Sequence, residues 1–261
     1  MKLLRYDVAG NCLLVVIVDE KSFPTMGEHK NLATLCWLRG VRTSDGIAVC
    51  SIDRNGNWDG GFTFFNPDGS RERVCGNALM AIASHFLPPG IPRGVAELPD
   101  VSVLFDGLAC YFTTGGGHSR FPAGEHGLYD TGSPHRVLDV ADVRDFPLVS
   151  AGAEIQNMAN LTIVAPSKGS GGKRLTARTY ERGVNAETSA CGTGAAAAAL
   201  HYNRHTGIRQ FEVEYPGGVY AVALGLAQTK QVTIALAKAE VVLLSVADLP
   251  TAALQKDFNN A

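Results

Sequence analysis

Two stretches of this chain set a cysteine, a glycine and a polar residue ahead of an apolar run. One is Asn66-Pro-Asp-Gly-Ser-Arg-Glu-Arg-Val-Cys75-Gly-Asn-Ala-Leu-Met-Ala-Ile-Ala, the other Thr188-Ser-Ala-Cys191-Gly-Thr-Gly-Ala-Ala-Ala-Ala-Ala-Leu200. Alanine, leucine and methionine are strong helix formers, so each cysteine is predicted to open a helix. Thr188 or Ser189 is the expected N-cap of the second. A helix start carries free N–H groups and the positive end of the dipole. That setting binds an anion and draws a thiol toward its thiolate. Two such starts suggest two similar halves facing one another, their amides on one carboxylate and a thiol on either side of it. The chemistry this suits is proton removal from one face of a carbon and proton delivery to the other.

These stretches, with Arg178-Thr-Tyr-Glu-Arg-Gly-Val-Asn-Ala-Glu-Thr-Ser-Ala-Cys-Gly-Thr-Gly194 and Tyr215-Pro-Gly-Gly218, resemble the diaminopimelate epimerase family of pyridoxal-independent amino-acid racemases. The resemblance implies Cys75 and Cys191 as the catalytic pair, with His135 and Glu181 assisting. It implies substrate contacts from Asn11, Asn66, Gly76, Asn77, Ser133, Asn160, Glu181, Arg182, Gly192 and Thr193. It points to no cofactor and no metal. The expected function is inversion of an α-carbon, with LL- or meso-diaminopimelate as first substrate and lysine and peptidoglycan-precursor biosynthesis as setting. The alternatives are histidine, ornithine, lysine or arginine. A thiol switch or amino-acid-binding protein on the same halves is the non-catalytic reading, and a phenazine-type isomerase a third. The chain departs from the family pattern in places: Ser133 stands for an asparagine, Gly46 for a glutamine of some relatives, and Ala78-Leu79-Met80 for Gly-x-Arg.

The fold implied is α/β (α+β): two pseudo-symmetric halves, each a curved, mostly antiparallel sheet around a central helix, with the site in the cleft between. The expected domains are 1–115, 118–240, and a closing strand and tail at 241–261 that returns to the first half. Gly115-Gly116-Gly117 marks the expected boundary.

Of 261 residues, 46% are hydrophobic and 18% charged, which are globular values. A net charge of −2 gives no basic footprint for nucleic acid or an anionic membrane. The apolar run Cys12–Val18 is broken upstream by Asp7 and Asn11, so a strand is expected there rather than a signal peptide. The expectation is a cytoplasmic protein acting on a small amino acid, with a homodimer left open. None of the six cysteines forms a Cys-x-x-Cys or zinc spacing. Cys12, Cys36, Cys50 and Cys110 read as small buried hydrophobes. A helix is expected over 28–39, strands over 47–52 and 62–65, and hairpins at 101–112 and 211–224.

Overall fold

The computed structural model describes residues 1–21, 44–107, 110–114, 127–225, 231–237 and 240–248. The expected helix over 28–39, Cys36 and the glycine boundary at 115–117 lie outside these residues.

The alternation of Leu4, Tyr6 and Val8 makes β1 (Lys2–Val8) a strand with one face in the core. β2 (Asn11–Asp19) is buried almost throughout, the pattern of a strand covered on both faces. β3 (Gly46–Ile52) runs parallel to β2, and β4 (Trp58–Phe65) and β5 (Arg71–Glu72) extend the sheet. Val241–Asp248 pairs antiparallel with β1, so the end of the chain returns to its beginning.

The helix α1 (Gly76–Phe86) follows β5, and Pro88-Pro89 bars its continuation. The hairpin of Leu98–Phe105 and Cys110–Thr114 closes over it. The second half repeats this order. Pro134–Asp139 and Asn160–Pro166 are a parallel pair, joined by a short helix α2 (Leu148–Ile155) that the sequence reading did not anticipate. Arg174–Glu181 pairs antiparallel with the second of them. Then come α3 (Gly192–Thr206) and the hairpin Gln210–Tyr215 with Gly218–Leu224. Gly207, at φ 70°, ends α3 in the left-handed conformation, and its N–H donates to Asn203 O.

The sheets do not divide as cleanly as the halves. Cys110–Thr114 pairs with Val232–Leu236, so the last strands of the first half join the larger, eleven-stranded sheet. Both central helices are buried along their first two turns. Ala195 to Ala199 are fully inaccessible, because a helix sheathed in strands leaves no room for larger side chains. No helix among the described residues is long and apolar enough to cross a membrane.

Candidate active site

Cys75 and Cys191 are themselves the N-caps of α1 and α3, both extended at φ −124° and −138°. The expectation that Thr188 or Ser189 caps α3 is therefore corrected. Thr188 instead gives its hydroxyl to Glu181, Oγ1 to Oε1 at 2.6 Å. The Cys191 thiol fills the cap, accepting from Gly194 N at 3.4 Å. Both cysteines line one cavity of about 30 Å³, too small to receive an amino acid without opening.

The thiols do not show the depressed pKa values expected of helix starts. Burial pushes Cys75 up to about 12, partly offset by the amides of Ala78 and Asn77, while the Glu181 charge adds to the rise. Cys191 is driven well above its ordinary value by burial and by Glu181, despite the hydroxyl of Thr193 and the Gly194 amide. Dehydration outweighs the helix dipole here, since the dipole is worth about 1 kcal/mol and burial several. Glu181 is raised to about 7, again chiefly by burial, so it exchanges a proton near neutrality.

The other site residues come from both halves. Gly76, Asn77, Gly192 and Thr193 supply the helix-start backbone. Asn66, Ser133, Asn160 and Arg182 line the same cavity. Arg182 N donates to Asn160 Oδ1 at 2.9 Å, and Asn160 Nδ2 to Ser133 Oγ at 2.9 Å. Ser133 thus joins Asn160 to Glu72, whose Oε2 lies 3.5 Å from its hydroxyl. Asn11, only 5% exposed, donates Nδ2 to Ala190 O at 2.5 Å and leaves Oδ1 without a partner.

His135 is fully buried and does not line the cavity. Its Nε2 meets Thr193 Oγ1 and its Nδ1 meets Thr162 Oγ1, both at 2.9 Å. Burial, with Arg182 nearby, takes its pKa down to about 3, so the ring is neutral and holds Thr193 rather than shuttling charge. Thr193 Oγ1 in turn lies 3.4 Å from Cys191 Sγ.

Two lining residues escaped the sequence reading. Glu72 takes Arg182 across the cleft, accepting from Nε at 2.8 Å with a second guanidinium nitrogen at 2.7 Å. Asp45 accepts from Cys12 N at 2.8 Å, while its own N–H donates to Cys12 O at 2.7 Å. Glu72 lay in plain view three residues before Cys75; Asp45 had no local signal, because only the β2–β3 register brings it beside Asn11. The halves also meet closely at Gly183, whose φ of +81° and contact with Asn66 exclude a side chain. Among the described residues no cluster of His, Cys, Asp or Glu is arranged to hold a metal ion.

No protein-family model matches the chain. Relatives are found nonetheless. Diaminopimelate epimerase of Thermotoga maritima is 26% identical over 227 residues, 82% of this chain and 89% of the relative. Among solved structures, a putative phenazine biosynthesis PhzC/PhzF protein from Clostridium difficile superposes with a TM-score of 0.64 at 15% identity, covering 96% of this chain and 99% of that one. A hydroxyproline epimerase from Agrobacterium vitis gives 0.63 at 15% identity, covering 95% and 91%. The chain is an isomerase of the cofactor-independent racemase and epimerase class. Within that class its resemblance is to the diaminopimelate epimerases.

Proposed function

We propose that the chain inverts the α-carbon of a free amino acid, with Cys75 and Cys191 as acid and base on opposite faces. The observation that carries this reading is that both thiols cap buried helices and line one cavity. The α-carboxylate fits between the two helix starts, where amides stabilise the negative charge that grows as the α-proton leaves.

The energetics suit a site that works only when loaded. A thiol at about 12, as for Cys75, needs about 7 kcal/mol to ionise at neutral pH, and Cys191 is raised further, so the empty site keeps both sulfurs protonated. The substrate α-ammonium offsets that cost by facing the buried sulfur, and the Glu181 carboxylate is placed to accept the Cys191 proton. One thiolate then takes the α-proton and becomes a thiol. The opposite thiol protonates the carbanion from the other side and becomes the thiolate. Protons balance, and the reverse reaction exchanges the roles. Free thiols at such a site favour a reducing compartment, in keeping with the cytoplasmic expectation.

Diaminopimelate, which the relatives' names carry, is the first substrate to test. The second reading, a basic α-amino acid, is favoured by Glu72, which already occupies the guanidinium that a distal carboxylate would need. The test is loss of optical activity, followed by circular dichroism, when the purified chain meets LL-diaminopimelate and single L-amino acids without added cofactor. Inversion of at least one supports the reading; an optically stable panel contradicts it.

A further inference from the structure

The charges around the cavity do not cancel. Among the described residues three carboxylates line it, Asp45, Glu72 and Glu181, against one cation, Arg182. Glu72 engages that cation with two guanidinium nitrogens and holds a second contact from Ser133 Oγ at 3.5 Å. Glu181 is occupied by the Thr188 hydroxyl and by Cys191. Asp45 is left. Among the described residues its carboxylate accepts the Cys12 N–H, and no cation lies within ion-pair reach. Burial raises its pKa, the mark of a carboxylate short of compensation. Beside it, at the start of the same strand pair, stands the buried Asn11 whose Oδ1 has no donor. An unpaired carboxylate and an unpaired amide oxygen on one wall are complementary to a group rich in N–H and positively charged.

We propose that Asp45 is a specificity-determining residue, and that the pocket selects an α-amino acid whose side chain ends in a cation and carries no second carboxylate. The assignment rests on the two-cysteine reading and gives it a substrate class. A second carboxylate would meet Asp45 and Glu72 with no free cation among the described residues to receive it, since Arg182 reaches it only by leaving a partly buried ion pair. Ornithine, lysine and arginine are the members of that class, and histidine joins it when its imidazole is protonated. Their α-groups occupy the helix starts while the terminal cation reaches the Asp45 wall.

The full-length chain is assayed for kcat/KM with L-ornithine, L-lysine, L-arginine, L-histidine, the neutral L-norvaline and LL-diaminopimelate, in wild type and in Asp45→Asn and Asp45→Glu. The expected result is a preference of at least tenfold for one cationic substrate over both norvaline and diaminopimelate. Asp45→Asn then raises KM for that substrate at least tenfold more than for norvaline, and Asp45→Glu recovers part of the loss. Best turnover of diaminopimelate, equal loss on every substrate, or no turnover of any cationic substrate overturns the assignment. The cysteine reading fails separately: it falls if Cys75→Ala and Cys191→Ala keep wild-type α-hydrogen exchange on whichever substrate is turned over.

Discussion

The two cysteine-led helix starts share a sequence pattern and differ in how the thiol is held. Cys191 is 5% exposed, bonded to Gly194 N and backed by Thr193, which His135 holds from behind. Cys75 is partly buried, and the amides of Asn77 and Ala78 face its sulfur without closing a cap bond. Behind Cys191 the chain of Thr193, His135, Thr162, Thr179 and Tyr215 continues hydroxyl to ring to hydroxyl. Among the described residues no comparable network stands behind Cys75; nearby Asn77 is fixed instead by Tyr220 of the other half, O–H to Oδ1 at 2.8 Å. A duplicated device has thus become one anchored thiol and one accessible thiol. The helix start alone does not set a cysteine's chemistry; the groups packed behind it do.

The largest effect expected is the loss of either thiol. Cys75→Ala and Cys191→Ala each lower racemisation by at least about a hundredfold, the low end for removing an acid–base group. Chiral chromatography measures it, and near-normal turnover in either variant would break the symmetry of role on which the comparison rests. Cys110→Ala, a buried position away from the cavity, retains activity.

Glu181, which acts on both sulfurs, is next. Its folded pKa of about 7 lies above the ordinary 4.5, so the folded chain holds a proton that the unfolded chain releases in that window. The stability that Glu181 contributes is therefore full below about 4.5 and falls as pH rises to about 7, by on the order of 3 kcal/mol. Urea unfolding from pH 4.5 to 8 reads this as the difference between wild type and Glu181→Gln, because His135, held down at about 3, adds stability with rising pH up to about 6.5 in both proteins. An unchanged slope in the variant would assign the pH dependence to another group.

Thr193→Val touches only the anchored thiol. Losing one hydroxyl bond costs about 1 kcal/mol, or roughly five- to tenfold in turnover. Because forward and reverse directions share one equilibrium constant, kcat/KM falls equally in both and any asymmetry resides in kcat. Equal turnover in variant and wild type would mean the His135–Thr193 support is idle.

The smallest effect is on reactivity. Iodoacetamide labels Cys75 several-fold faster than Cys191 at pH 8, read by peptide mass mapping, because Cys75 is the more exposed and its pKa is raised less. Faster labelling of Cys191 would reverse the assignment of anchored and accessible.

Much of this was legible in the residues. The cysteine–glycine starts, the alanine run and the Pro-Gly-Gly hairpin each carry a local signal, and each forms as read. What escaped depends on distant pairing. Asp45 reaches the site through register with β2, and Glu72 through an ion pair to Arg182 on the opposite half. The thiol pKa expectation failed for a related reason, since a local dipole is visible in sequence whereas burial by two sheets is not. Cys12 differs too: it is half-exposed and accepts from Arg5 Nε at 3.1 Å, rather than lying in the core.

The central claim is that two thiols on opposite faces share one inversion, and isotope partition in D₂O tests it most directly. At early conversion the account predicts deuterium at the α-carbon of the inverted product, while recovered substrate keeps its protium. Deuterium entering recovered substrate and product at the same rate would show that one exchanging base serves both faces, and would contradict the account.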